Sequence, residues 1–455
     1  MCNSELIQRW IRHRDVLRNA TRRLVEVVGL SSYPASIKNK LILAGLAASL
    51  HDFGTVQMQF FIDGFAAHRL ETIEAYPEEF ILGVTSRQIT HDLSVIERAI
   101  DQRRDGVEKR KILEQADVVA DVTLTRAIPF LRSKVWPVTY LYKSPVIRLI
   151  PYAPVALIGI PYTAMDSVDT QGNRKSDNFD YLAIAHEVGH YIYWHGRYED
   201  CMTQFYHGLY KALEDQFPPN DRSHMPLYAH WLEEIFADVF AAMAGGTVTA
   251  LSIQEILSDN LPKRMAEDDG EHPLAVLRPY IYTQVLYQMG MADAARNLEQ
   301  LWHESSAYLR VDKTTNPRIH RYDTKSEKVG EESHRSLAEV KDDLQRIAIL
   351  ISNALSLDAT SKDQVWTSGS EPETIRMAFD NKFEGVFLPS NFEQVAWPDY
   401  NNQWQHNGSQ VNVTADDLAT QRDAYTEEIV AFEKWFAIFQ AGGWSSGGGD
   451  DAYPL

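Results

Sequence analysis

Three side chains within five residues could do chemistry together: His186, Glu187 and His190, in the stretch AIAHEVGHYI from Ala183 to Ile192. On an α-helix, residues four apart share a face, so the two imidazoles can hold one zinc ion while Glu187 points beside it at a bound water. Every other residue of the stretch is uncharged, the pattern of a helix buried under a sheet with only its ligands polar. Two imidazoles and a carboxylate on such a helix carry a desolvation penalty on the order of several kcal/mol unless they are paired or metal-bound. An ordinary helix with two satisfied histidines is the plain alternative.

A catalytic zinc takes three protein ligands and keeps a fourth position for water. The run WLEEIFADVFAA, Trp231 to Ala242, offers the third ligand on a second helix. Glu234 and Asp238 are four apart, so Glu234 can bind the ion while Asp238 accepts the free ring N–H of a ligating histidine and fixes its tautomer. Glu233 competes for the ligand role, but the residue four beyond it is Ala237. His230 shares the Glu234 face and either lines the cleft or simply sits exposed at a helix start. His51, His207, His224 and His320 lack spacing partners and are read as incidental.

HEVGH followed by EIFAD resembles the gluzincin branch of zinc metallopeptidases, whose pattern is HExxH and then ExxxD. The metzincin pattern needs glycine at 193 and histidine at 196, where this chain has Tyr193 and Gly196; His195 is one position out of register. Downstream, DGEHPLAVLR from Asp269 to Arg278 contains HPxxxxR, and in this the chain is similar to the CAAX-prenyl peptidases and their soluble relatives. Those membrane enzymes embed the motif among spanning helices, which this sequence lacks, so the resemblance implies the catalytic core and not a lipidated substrate. It covers about residues 150 to 280. Peptide hydrolysis produces an oxyanion, and a donor beside the metal lowers its energy by about a few kcal/mol. His272 or Arg278 could serve, Arg278 more as a partner of Asp238 or Glu234; His-Pro can also merely shape a helix start. Tyr280 and Tyr282 are weaker donors, read mainly as packing.

The elements that must position these residues change character along the chain. From Ser4 to about Pro137 apolar residues recur at helical spacing, as in Val16, Leu17, Leu24, Val25 and Val28. PVTYLY, VIRLIPY and PVALIGIP then read as short strands. Pro161 lacks an N–H for a ladder, so Val155 to Ile160 is expected at a sheet edge, where Gly159 and Ile160 would pair with an extended substrate. A helix is expected from about Asp180 to Trp194, capped by Asp177 or Asn178. Further helices are expected over Met202–Gln216, Tyr228–Ala244, ended by Gly245 and Gly246, Ser336–Leu357 and Ala415–Phe439, with a turn at Phe217–Asp221. GGWSSGGGDD at 442–451 reads as a flexible tail.

Composition sets the outer limits. The 455 residues are 44% hydrophobic, enough for substantial cores, and 44 Lys plus Arg against 63 Asp plus Glu give a net charge of −19. That balance repels nucleic acid and anionic lipid, so neither is expected as the main partner. Cys2 and Cys201 are too few for a disulfide framework and suit a reducing compartment. The charged N-terminus does not resemble a secretory signal, and no apolar run is long enough to span a bilayer, so a cytoplasmic location is expected.

The fold expected is α+β and mainly helical: a helical region over 1–136, a zincin-like core over 137–300 with a small mixed sheet over the HExxH helix, a mainly helical region over 301–440 and a tail over 441–455. The function expected is zinc-dependent hydrolysis of peptide bonds in a peptide or protein substrate. Two readings stand beside it: a non-proteolytic zinc-binding interaction protein, and a zinc hydrolase acting on a non-peptide amide or ester.

Overall fold

Four long helices precede the first strand: α1 (Ser4–Gly29), α2 (Ile37–Ala66), α3 (Glu78–Arg104) and α4 (Val107–Ala127). The computed structural model describes residues 4–30, 32–35, 37–68, 70, 77–131, 135–150, 153, 155–167, 182–198, 203–217, 225–258, 260–311, 317–323, 326–332, 335–357, 359–371, 374–375 and 377. All of them fall within one compact unit, Met1–Phe383. The expected caps Asp177 and Asn178, the helix at Ala415–Phe439, the glycine-rich tail, Cys2, Cys201, His224 and most of the turn after Phe217 lie outside the described residues.

The three short runs are strands as expected: β1 (Trp136–Tyr142), β2 (Val146–Leu149) and β3 (Val155–Pro161). Their order is β1-β3-β2, with β1 parallel and β2 antiparallel to β3, a small mixed sheet in a mainly helical chain. The edge position expected for Val155–Ile160 is therefore corrected: β3 is the central strand, paired on both sides. Pro161 is tolerated because it lies past the end of β2, whose pairing stops at Val146 with Gly159. Gly159 is a glycine because a Cβ there would meet Val146 at 2.6 Å and Tyr140 at 3.3 Å. It and the buried Ile160 are interior to the sheet and offer no free edge.

The outer edge of β1 is closed by side chains rather than by another strand. Thr139 N donates to Asp117 at 2.8 Å, Arg103 donates to Thr139 O at 2.8 Å, and Gln102 bonds both the N–H and the carbonyl of Leu141. Helices α3 and α4 thus satisfy the backbone that an edge strand leaves open. On its far side β2 has no strand partner among the described residues.

Below the sheet runs α5 (Ala183–His195), packed on β2 and β3. It starts three residues later than expected and has no side-chain cap. A two-residue ribbon, β4 (Arg197–Tyr198) with β5 (Thr203–Gln204), leads into α6 (Phe205–Gln216). Next comes α7 (Met225–Gly245), buried on nearly every side, so its few polar residues need partners inside the protein. Gly246 ends it in the left-handed region, φ 66°, and α8 (Thr247–Ser258) follows directly. Then come α9 (Arg278–Gln288), α10 (Ala292–Glu304), the single turn α11 (Ser306–Leu309) and a hairpin of β6 (Arg318–Asp323) with β7 (Ser326–Glu332). Among the described residues the last long helix is α12 (Leu337–Ala354), which begins with a capping box of Ser336 and Glu339 and packs on α9 and α7. Among the described residues no helix is long and apolar enough to cross a membrane.

Candidate metal centre

Helices α5 and α7 cross at Gly189 and Ala237, where a Cβ on Gly189 would lie 2.6 Å from the Ala237 Cα. That close approach, which only glycine permits, brings the polar residues of the two helices face to face. His186 and His190 come from α5, one turn apart; Glu234 and Asp238 come from α7, also one turn apart.

The two histidines turn their Nε2 atoms toward each other at 3.1 Å. His186 Nε2 lies 3.2 Å from one oxygen of Glu234 and His190 Nε2 lies 3.4 Å from the other. Each Nδ1 faces a different carboxylate: Asp238 at 3.0 Å for His186, and Glu233 at 2.8 Å for His190. The Asp238 contact is an ion-pair distance outside the line of a hydrogen bond. A carboxylate has no proton to give, so the neutral tautomer this arrangement favours carries its hydrogen on Nδ1 and leaves each Nε2 lone pair to the common centre. Nε2 atoms 3.1 Å apart can share either a proton or a metal ion, and nitrogens on a tetrahedral zinc lie about 3.3 Å apart. Glu234 Oε2 is buried and accepts no hydrogen bond, as a ligand oxygen would. His186, His190 and Glu234 offer ligand atoms all within 4.8 Å of one another and could hold a metal ion.

Charge reinforces the geometry. Burial pushes the His186 pKa down, but Asp238 and Glu234 outweigh it and raise it to about 10. His190 is likewise pushed down by burial and raised on balance by Glu234 and Glu233. Burial would raise Glu234, yet His272, His190 and His186 hold it well below the usual carboxylate range. The site favours positive charge, whether carried by protons on the rings or by a cation that displaces them. Glu187 differs: burial raises its pKa, with His190 and His186 opposing, and it makes no hydrogen bond or ion pair with another described residue.

Around this centre Arg278 grips Asp238 through two nitrogens, at 2.8 and 2.6 Å, and its guanidinium also lies 3.7 Å from Glu234. Tyr282 donates to Asp238 at 3.0 Å, so it is a working partner and not only packing. His272 places Nε2 at 3.6 Å from Glu234 and Nδ1 at 2.9 Å from Asp269. Asp269 also accepts the backbone N–H groups of Glu271 and His272, which fixes the turn that presents the ring. His230 holds the Gly270 carbonyl of that turn and is not among the residues that could hold a metal.

Gly159 and Ile160 are not brought to the centre as an open edge. Tyr280 turns away, to His303 at 2.5 Å. His51 bonds Thr21, the His207 ring lies tilted against that of Tyr206, and His320 lies in β6. Sequence reasoning missed three roles: Glu233 behind His190, Trp194 donating to that same carboxylate at 2.9 Å, and Asp269 behind His272. For Trp194 a signal existed, since an indole donor four residues after His190 shares its face. Comparison with protein-family models, with curated proteins and with solved structures returns no match.

Proposed function

We propose that this chain is a zinc-dependent hydrolase of peptide bonds with a gluzincin-type centre of His186, His190 and Glu234. The observation that carries the reading is the pair of Nε2 atoms 3.1 Å apart, each ring backed by a carboxylate and both directed at Glu234. A structural zinc is usually closed by a fourth protein ligand, whereas here three groups converge. Zinc bound there would supply Lewis acidity, making a water acidic and a carbonyl electrophilic near neutral pH.

The residues of the chain supply the remaining chemistry. Glu187, adjacent to the first ligand and without a hydrogen bond or ion pair among the described residues, takes the proton of the attacking water and returns it to the leaving amine. Its raised pKa suits a group that must both accept and release a proton. His272, oriented by Asp269 and on balance favouring the charged form, donates to the developing oxyanion. Arg278 and Tyr282 hold Asp238 so that the His186 ring keeps its orientation. With β1 closed and β3 central, β2 is the strand whose outer edge has no strand partner among the described residues and would take an extended peptide.

The test compares wild type with Glu187→Gln on a diverse peptide library, with metal analysis of both. Both proteins should carry about one zinc per chain; wild type should cut, and the variant should be slower by about a hundredfold or more. Equal cleavage by the two would remove Glu187 from its role, and a wild type without zinc would end the proposal.

A further inference from the structure

We propose that Trp194 is a positioning residue for the metal centre, acting through Glu233 on His190. The inference rests on the metal-centre reading given above. Trp194 stands one turn beyond His190 on α5, and the two rings donate to the same atom, Glu233 Oε1, at 2.9 Å from the indole and 2.8 Å from Nδ1. Both donors are fixed relative to each other by a single helical turn. The oxygen that receives them must therefore sit where the His190 ring is correctly turned.

The two histidines are backed differently. Asp238, behind His186, is fully buried and clamped by Arg278 and Tyr282. Glu233, behind His190, has a side chain 19% exposed, and among the described residues its one ion pair is with His190 itself. Removing the indole N–H would leave this carboxylate, among the described residues, held only by the ring it is meant to hold, with water competing for it. Trp194 thus does for Glu233 what Arg278 does for Asp238, with a neutral donor in place of a cation. Its ring also packs on Tyr206, with centroids 4.9 Å apart, and phenylalanine would keep that contact while deleting the donor.

Freed from Trp194, Glu233 can swing outward, and the His190 ring loses both its orientation and its fixed Nδ1–H. Loss of such outer partners weakens metal binding by about 10–100-fold. The experiment is a zinc Kd for the full chain, by competition with a chromogenic chelator, in wild type, Trp194→Phe, Glu233→Ala and the double variant. The expected result is a Kd raised about tenfold or more by Trp194→Phe, at least as much by Glu233→Ala, and no further in the double variant than in Glu233→Ala alone. An unchanged Kd in Trp194→Phe overturns the proposal, as do losses that multiply in the double variant, because the ring would then act by packing. A wild type that binds no zinc sinks the centre and the relay together, whereas equal binding by wild type and Trp194→Phe sinks the relay alone. A measurement on the unaltered protein covers a variant that does not fold: the Trp194 indole N–H resonance should exchange slowly with solvent and shift when zinc is added. An indole N–H that exchanges freely and ignores zinc overturns the proposal.

Discussion

Asp238 shows how much a single side chain at this centre depends on its neighbours. It has no exposure to solvent, and burial alone would raise its pKa, but Arg278 and His186 hold it below the usual carboxylate range. Replacing Arg278 by methionine keeps the volume and strands the charge, which should destabilise the fold by about 3–5 kcal/mol, read as a lowered urea midpoint. A shift below about 1 kcal/mol would show that Asp238 finds another partner or a proton. His195 gives a second case, with pH as the variable. Its Nε2 is buried without a partner, its ring stacks on Tyr191, and burial pushes its pKa down from 6.5 to about 4. Between those values the unfolded chain takes up a proton that the folded one refuses. Stability is therefore lost as pH falls from 6.5 through about 4, by up to about 3 kcal/mol from this residue. His195→Phe should flatten that part of the stability–pH curve, and an unchanged slope would assign it elsewhere.

At the scale of elements, the α5–α7 crossing makes a prediction with an internal control. Gly189→Ala places a methyl group 2.6 Å from the Ala237 backbone and should cost about 1–3 kcal/mol and weaken zinc binding. Gly45 is also helical, but an added methyl group there would meet nothing within 4 Å, so alanine should be tolerated with a gain of about 0.5–1 kcal/mol. Similar losses from both would mean that helix crowding does not set the site. Thr367 is a further device of this kind: its hydroxyl accepts from Val248 N at 2.9 Å and so caps α8 from a distant part of the chain. Thr367→Val should lower stability by about 1 kcal/mol in thermal unfolding. Much of this level is legible in the sequence. Helices α5, α7 and α12 announce themselves by period and polarity, though α5 starts about three residues later and α7 about three residues earlier than expected, and the spacing of the candidate ligands follows from the turn of a helix. The strands are legible as strands, but their order is not: one proline in Val155–Pro161 argues for an edge, while the pairing that makes β3 central depends on where β2 stops. The hairpin of β6 and β7 reads as a polar run with no alternation to betray it. Glu233 looks like a failed ligand because helical spacing says who shares a face, not which ring lies across the gap.

For the whole molecule, metal binding and folding are one equilibrium if the centre forms only in the folded chain. Zinc at about a hundred times its Kd should then add about 2.7 kcal/mol and raise the thermal midpoint, and a chelator should reverse the gain. Glu234→Ala should show no zinc-dependent midpoint, and persistence of the shift in that variant would place the ion elsewhere. The closed side of the sheet has its own consequence. Because Gln102, Arg103 and Asp117 occupy the bonds a neighbour would need, a strand from a second copy finds no open backbone to pair with on the β1 side of this sheet. Ribbon growth past β1 is blocked by the molecule's own side chains, a guard on that edge against fibrils.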